Sequence, residues 1–139
     1  MSFREKSAWI ILVTLIVITS AYMTHMQQPW TLAPDPSPFM FYTLVHAVIL
    51  YVIVVTVAHI VIGVRAPREA RAPKDERERL ISLRATAVSA YVYAILSMAS
   101  IFTIHFGANQ FGIGYLVLLS FVVAEVVNYA VRIYYYRRG

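Results

Sequence analysis

Glu125 is the one acidic residue inside the long apolar segments of this chain, and Asn128, Tyr129 and Arg132 follow it at i+3, i+4 and i+7. On a helix these spacings place all four on one face, forming a polar stripe that runs toward the basic end of the last segment. An isolated carboxylate in hydrocarbon costs several kcal/mol, so Glu125 has to be protonated or partnered. His59 is the expected partner. It precedes Arg65 by six residues and Glu125 precedes Arg132 by seven, which puts both about 9 to 10 Å deep at 1.5 Å per residue. Two readings follow: a proton-accepting or ligand-binding site opening to the cytoplasm, or interhelical hydrogen bonding that holds a bundle together.

The other histidines gather at the opposite ends of the segments. His25 closes the first, His46 lies two turns into the second and His105 closes the third, with Met23, Met26, Met40 and Asp35 nearby in sequence. Imidazole and thioether ligands suit copper, and His46 with His105 could serve as axial ligands of haem b. Interfacial histidines satisfied by backbone or water are the alternative, and on that reading no cofactor is expected. The chain has no cysteine, which excludes disulfides, thiolate metal sites and cysteine nucleophiles. It carries no Gly-rich phosphate loop, no Ser-His-Asp order, no HExxH and no EF-hand pattern, so an enzyme is not expected.

A third group of charged residues lies outside the apolar segments. After Pro67 and Pro73, the run Lys74, Asp75, Glu76, Arg77, Glu78, Arg79 reads as a helix start, with acids in the first turn complementing the helix dipole. The third helix is therefore expected to begin near Asp75 and project from the membrane, with Lys74–Glu78 and Asp75–Arg79 as i,i+4 pairs. Together with Arg137 and Arg138, the residues Asp75, Glu76, Arg77 and Glu78 form a candidate docking surface for a cytoplasmic protein partner. A solvated, charge-balanced helix start is the competing reading.

Four apolar segments must position these groups: 7–26, 39–64, 85–107 and 111–136. Each reaches the roughly 20 residues needed to cross the hydrocarbon core. Composition agrees, with 60% hydrophobic and 14% charged residues and a mean hydropathy of +0.66, against roughly 25% charged in soluble domains. All 12 Lys and Arg residues fall on one side of the four segments, Arg132 near the end of the last, and none in the two connections on the other side. Retention of positive charge on the cytoplasmic side therefore places both termini and the 65–84 loop inside. That rule also accounts for the net charge of +5, so nucleic-acid binding is not expected. The first segment is long enough to be read as an uncleaved span rather than a signal peptide. The Pro-rich connection after Met26 is expected to lie along the outer surface, and the one around Gly107 to be a tight turn.

Two weaker patterns run across the spans. At an offset of eighty residues Arg4, Ser20, Tyr22 and His25 meet Arg84, Ser100, Phe102 and His105, consistent with duplicated hairpins or with chance similarity of apolar helices. Thr86, Ala90, Ala94 and Ser97 form a small-residue stripe, expected to pack within the bundle rather than across a homodimer.

The segments FREKSAWIILVTLIV, KDERERLISLRA and FVVAEVVNYAVRIYYYRRG resemble a widespread family of small, uncharacterised four-span bacterial inner-membrane proteins with a DERE or DERD box and a C-terminal AExxxY...YRRG motif. The resemblance implies a multi-pass inner-membrane protein and marks Asp75, Glu76, Arg77, Glu78, Glu125, Tyr129, Arg137 and Arg138 as motif positions. Asn128 departs from the Lys expected between Glu and Tyr. The resemblance implies no reaction.

The expectation is an all-α, integral membrane four-helix bundle with both termini cytoplasmic. It is read as a non-enzymatic binding or regulatory protein whose partners are the bilayer and a cytoplasmic protein or small ligand. The rivals are a small proton-coupled transporter using Glu125 and His59, and a haem- or copper-binding protein using His25, His46 and His105.

Overall fold

The computed structural model describes residues 3–25, 38–73, 75–108 and 110–138, leaving aside the side chains at 25, 38–41, 110 and 111. Five α-helices follow in order: α1 (Phe3–His25), α2 (Pro38–Arg65), α3 (Pro67–Arg71), α4 (Glu76–Phe102) and α5 (Gln110–Arg137), with a 3-10 turn over Thr103–Phe106. Four of them are long and apolar enough to cross a membrane, and no described residue is in a strand. The protein is an all-α, four-helix membrane bundle. The Pro-rich connection over 27–37, with Trp30 and Asp35, lies outside the described residues, as do Met26 and Lys74.

Local sequence accounts for the helix boundaries. Asp75 caps α4 in a capping box: its side chain accepts from the first-turn backbone, and Glu78 Oε2 accepts from Asp75 N at 3.1 Å. The helix therefore starts at the acidic box, about seven turns before its far end at 3.6 residues per turn. At that far end the 3-10 turn closes on Gly107, whose φ of +83° lies in the left-handed region that glycine adopts without a Cβ clash. Pro67 opens α3 because its missing N–H falls where no helical acceptor exists.

The long helices pack in the order α2, α1, α5, α4: α5 lies between α4 and α1, and α2 leans on α1. A duplicated-hairpin symmetry would pair α4 with α2 as α1 pairs with α5, yet the α1–α5 contact has no such counterpart among the principal interfaces. Ala8, Leu12 and Ile133 form the apolar core between α1 and α5, with Trp9, Val126 and Tyr129 against it. No described residue of α2 is fully buried. Most of its valines and isoleucines face outward, where the hydrocarbon solvates them.

The α4–α5 contact is built on small side chains. Ala85, Ser89 and Ser100 of α4 are buried, as are Ser120 and Ala124 of α5. The Ser100 and Ser120 hydroxyls lie 3.2 Å apart, each 2.7 Å from the carbonyl one turn back, so one donates across the interface while the other donates to its own helix. The stripe expected to pack sits one position off this face: Thr86, Ala90 and Ala94 are exposed. One residue is 100° of helix, and hydropathy cannot tell two small-residue faces apart when lipid and protein are equally apolar.

Ala85→Leu therefore overpacks the α4–α5 contact and costs about 1–3 kcal/mol, whereas Ala90→Leu stays within about 0.5 kcal/mol. Thermal unfolding of both variants in the same detergent checks the difference.

Candidate functional site

The end of the bundle that carries both termini is tied together by the residues flanking the spans. Phe3 N donates to Glu69 Oε2 at 3.0 Å, Arg4 Nη2 donates to the Ala72 carbonyl at 2.9 Å, and Arg4 Nη1 lies 2.9 Å from Glu78 Oε2. Arg137 Nε lies 3.4 Å from Glu5 Oε1, and the Arg137 guanidinium sits 5.4 Å from the centre of the Trp9 ring. The start of α1 is thus clasped by the α2–α4 connection on one side and the end of α5 on the other.

This clasp changes the reading of the acidic box. Asp75 is the helix cap, and Glu78 serves the cap and pairs with Arg4, so neither is free for a partner. The i,i+4 pair Asp75–Arg79 does not form among the described residues, because the cap turns the Asp75 carboxylate toward the first-turn amides instead. Glu76 and Arg77 remain exposed, as do Arg137 and Arg138.

Further into the membrane the predicted stripe is present on α5. Arg132 Nε donates to Asn128 Oδ1 at 3.1 Å, and Asn128 Nδ2 donates to Glu125 Oε2 at 3.4 Å. The Arg132 guanidinium stands 5.2 Å from the centre of the Tyr129 ring. Asn128 is buried, at 6% exposure. An amide suits this position because it accepts from a cation on one side and donates to a carboxylate on the other, linking the two charges without adding a third. That is the physical sense of Asn where the resemblance leads one to expect Lys.

His59 is not the partner of Glu125. Its Nε2 lies 2.6 Å from Ser7 Oγ and its Nδ1 2.8 Å from the Val55 carbonyl, which uses both ring nitrogens between α1 and α2. Since α2 packs on α1, a polar group on its inner face meets α1 first. Tyr51 of α2 and Tyr129 of its own helix lie near Glu125. Tyr51, Val55 and His59 are spaced i, i+4, i+8, so the face of α2 that turns inward was readable once His59 was chosen, though Tyr51 was not singled out.

Two openings flank this polar layer. On the charged side a cavity of about 170 Å³ is walled by Arg4, Ser7, Glu78, Ser82, Tyr129, Arg132 and Tyr136, and about half its accessible wall is polar. It joins α1, α4 and α5, and it brings the acidic box (Glu78) and the α5 stripe (Tyr129, Arg132) to one place. On the far side a cleft of about 340 Å³ opens between α1, α2 and α5, lined almost wholly by apolar atoms from Leu15, Ile18, Leu44, Val48, Leu119 and Val122 among others. Glu125 follows Val122 and Phe121 of that lining by three and four residues, which places it at the inner end of the cleft.

The proposed metal ligands are scattered. His46 Nδ1 lies 2.6 Å from the Tyr42 carbonyl and is exposed on α2; His105 is exposed on the 3-10 turn against Phe102. Their helices, α2 and α4, stand at the two ends of the packing order. Met23 Sδ accepts from the Tyr115 hydroxyl at 2.6 Å. Met26 and the His25 side chain lie outside the described residues. Among the described residues no group of three or more His, Asp or Glu side chains could hold a metal ion.

No protein-family description, curated protein or solved structure matches this chain.

Proposed function

We propose that this chain is a non-enzymatic, multi-pass binding protein of the bacterial inner membrane, of the small four-span group it resembles, that holds a small oxyanion in the cavity at its charged end. The observation that carries this reading is the charge balance of the cavity wall. Arg4 is neutralised by Glu78 at 2.9 Å, whereas Arg132 has no carboxylate within ion-pairing distance among the described residues. Its charge is compensated only through Asn128. The cavity therefore presents one cation without a direct carboxylate partner among the described residues, beside the hydroxyls of Ser82, Tyr129 and Tyr136, in space for about five or six water-sized groups. A carboxylate or inorganic oxyanion of that size pairs with Arg132 directly and accepts from the surrounding donors.

On this reading Glu125 and the anion compete for the same arginine. A ligand that draws Arg132 toward the cavity weakens the Asn128 bridge, and the charged end then communicates with the middle of the bundle. By the positive-inside rule that end is cytoplasmic, so the ligand comes from the cytoplasm. Glu76 and Arg137 are exposed at the same end, on the surface available to a cytoplasmic partner.

A second reading rests on helical register: Glu125 lies one turn beyond Phe121 and Val122 of the far cleft and two turns before Arg132 of the charged cavity. That is the layout of a small proton-coupled carrier, in which Glu125 would exchange its proton as the bridge breaks.

Under the binding reading, phosphate, sulfate or a short carboxylate raises the melting temperature of the purified protein, Arg132→Gln weakens that effect about tenfold or more, and Glu125→Gln changes it about fivefold. Loss of all anion response in the wild type, or an equal response in Arg132→Gln, contradicts it. Uptake of the same anion into proteoliposomes driven by a pH gradient selects the carrier reading over the binding one.

A further inference from the structure

On the outer flank of α4 and α5, away from the cavity, three arginines converge. Arg77 and Arg84 of α4 and Arg138 beyond α5 wall a shallow pocket of about 280 Å³ floored by Leu80, Ile81 and Tyr135. It shares no lining residue with the inner cavity, whose α4 contributions are Glu78 and Ser82. Among the described residues none of the three arginines has a carboxylate partner. Arg84 stands 5.9 Å from the centre of the Tyr135 ring, and Arg138 4.9 Å from that of Tyr134. These ring contacts orient the guanidiniums without neutralising them.

We infer that this pocket binds the phosphate headgroup of an anionic phospholipid, with an acyl chain running up α4. Two features of the same helix face point to a lipid rather than to free phosphate. The first is charge: three guanidiniums converging without a counterion repel one another, and a phosphodiester accepts from more than one of them. The second is continuity. Arg77, Leu80, Arg84, Val88, Tyr91 and Ile95 follow at i, i+3, i+7, i+11, i+14 and i+18, which keeps them on one face. Leu80 is 50% exposed, Val88 43%, Tyr91 73% and Ile95 68%, so an open apolar track leads from the arginines into the hydrocarbon. A soluble anion has no use for that track, and an acyl chain follows it. Orientation by the positive-inside rule is satisfied by basic residues anywhere at this end, including Arg65, Arg68 and Arg71, and it does not require three of them to share one pocket.

The test is lipid retention by the full-length protein, read by native mass spectrometry from micelles containing equal phosphatidylglycerol and phosphatidylcholine of the same chain length. Wild type retains phosphatidylglycerol in preference, each arginine replaced in R77Q/R84Q/R138Q reduces the preference about fivefold, and R65Q/R68Q/R71Q, with the same loss of charge outside the pocket, keeps it. R138Q alone, at an exposed position beyond the last helix, shows the single fivefold step if the triple variant does not fold. Equal retention of the two lipids by wild type, an unchanged preference in R138Q, or an equal loss in the R65Q/R68Q/R71Q control overturns the inference. Displacement of the lipid by millimolar inorganic phosphate alone reassigns the pocket to a soluble anion and overturns it as well.

Discussion

Hydrocarbon does not solvate charge, and that constraint organises this molecule more than any apolar contact does. Apolar side chains gain little by leaving lipid for protein, so four greasy helices have no strong reason to choose one arrangement over another. Charged and polar groups do have a reason. Arg132, Asn128 and Glu125 satisfy one another along α5, and that ladder lies on the helix that contacts both α4 and α1. In the membrane the buried residues of α5 are small or polar, Ser120, Ala124 and Asn128 in succession, before Ile133 joins the apolar core near its end. Compactness there lets α4 approach closely and leaves room for the cavity on the charged side.

The rest of the architecture serves the same end. Ser7 and His59 join α1 to α2 in the half of the membrane nearest the charges, and the Ser100–Ser120 contact joins α4 to α5 in the other half. Outside the hydrocarbon, the Arg4–Glu78 and Glu5–Arg137 pairs draw the beginning of the first helix, the start of α4 and the end of α5 together. Arg4, Glu78 and Glu5 are largely covered, and Arg137 is exposed. Their combined effect is positional: they fix where the walls of the cavity stand, and so which groups a bound anion meets.

How much of this could be read beforehand follows from how local each feature is. The four spans and the start of α4 at Asp75 were legible, because hydropathy and a capping box are written in consecutive residues. The Glu125 stripe was legible for the same reason: i+3, i+4 and i+7 are fixed by helical geometry alone. The pairings between helices were not. Depth matching made His59 a partner for Glu125, but depth says nothing about rotation around the axis, and the packing order gives His59 to Ser7 instead. Arg4 counts in the sequence only among the basic residues at this end and Glu5 carries no pattern of its own, yet Arg4 walls the cavity and Glu5 is buried at 8% exposure. No periodicity announces a contact between residues 4 and 78 or 5 and 137. The small-residue stripe failed by a single position, since burial of small side chains depends on which neighbour arrives.

Asn128 couples Arg132 to Glu125, and a double-mutant cycle with Glu125→Gln and Arg132→Gln measures that coupling in the folding stability of the detergent-solubilised protein. The ladder predicts a coupling of about 0.6–1.7 kcal/mol in the wild-type background, the span seen for hydrogen bonds within membrane bundles, and its collapse toward zero once Asn128→Ala removes the bridge. Additive effects of the two substitutions in the wild type, or the same coupling with and without Asn128, would contradict the account.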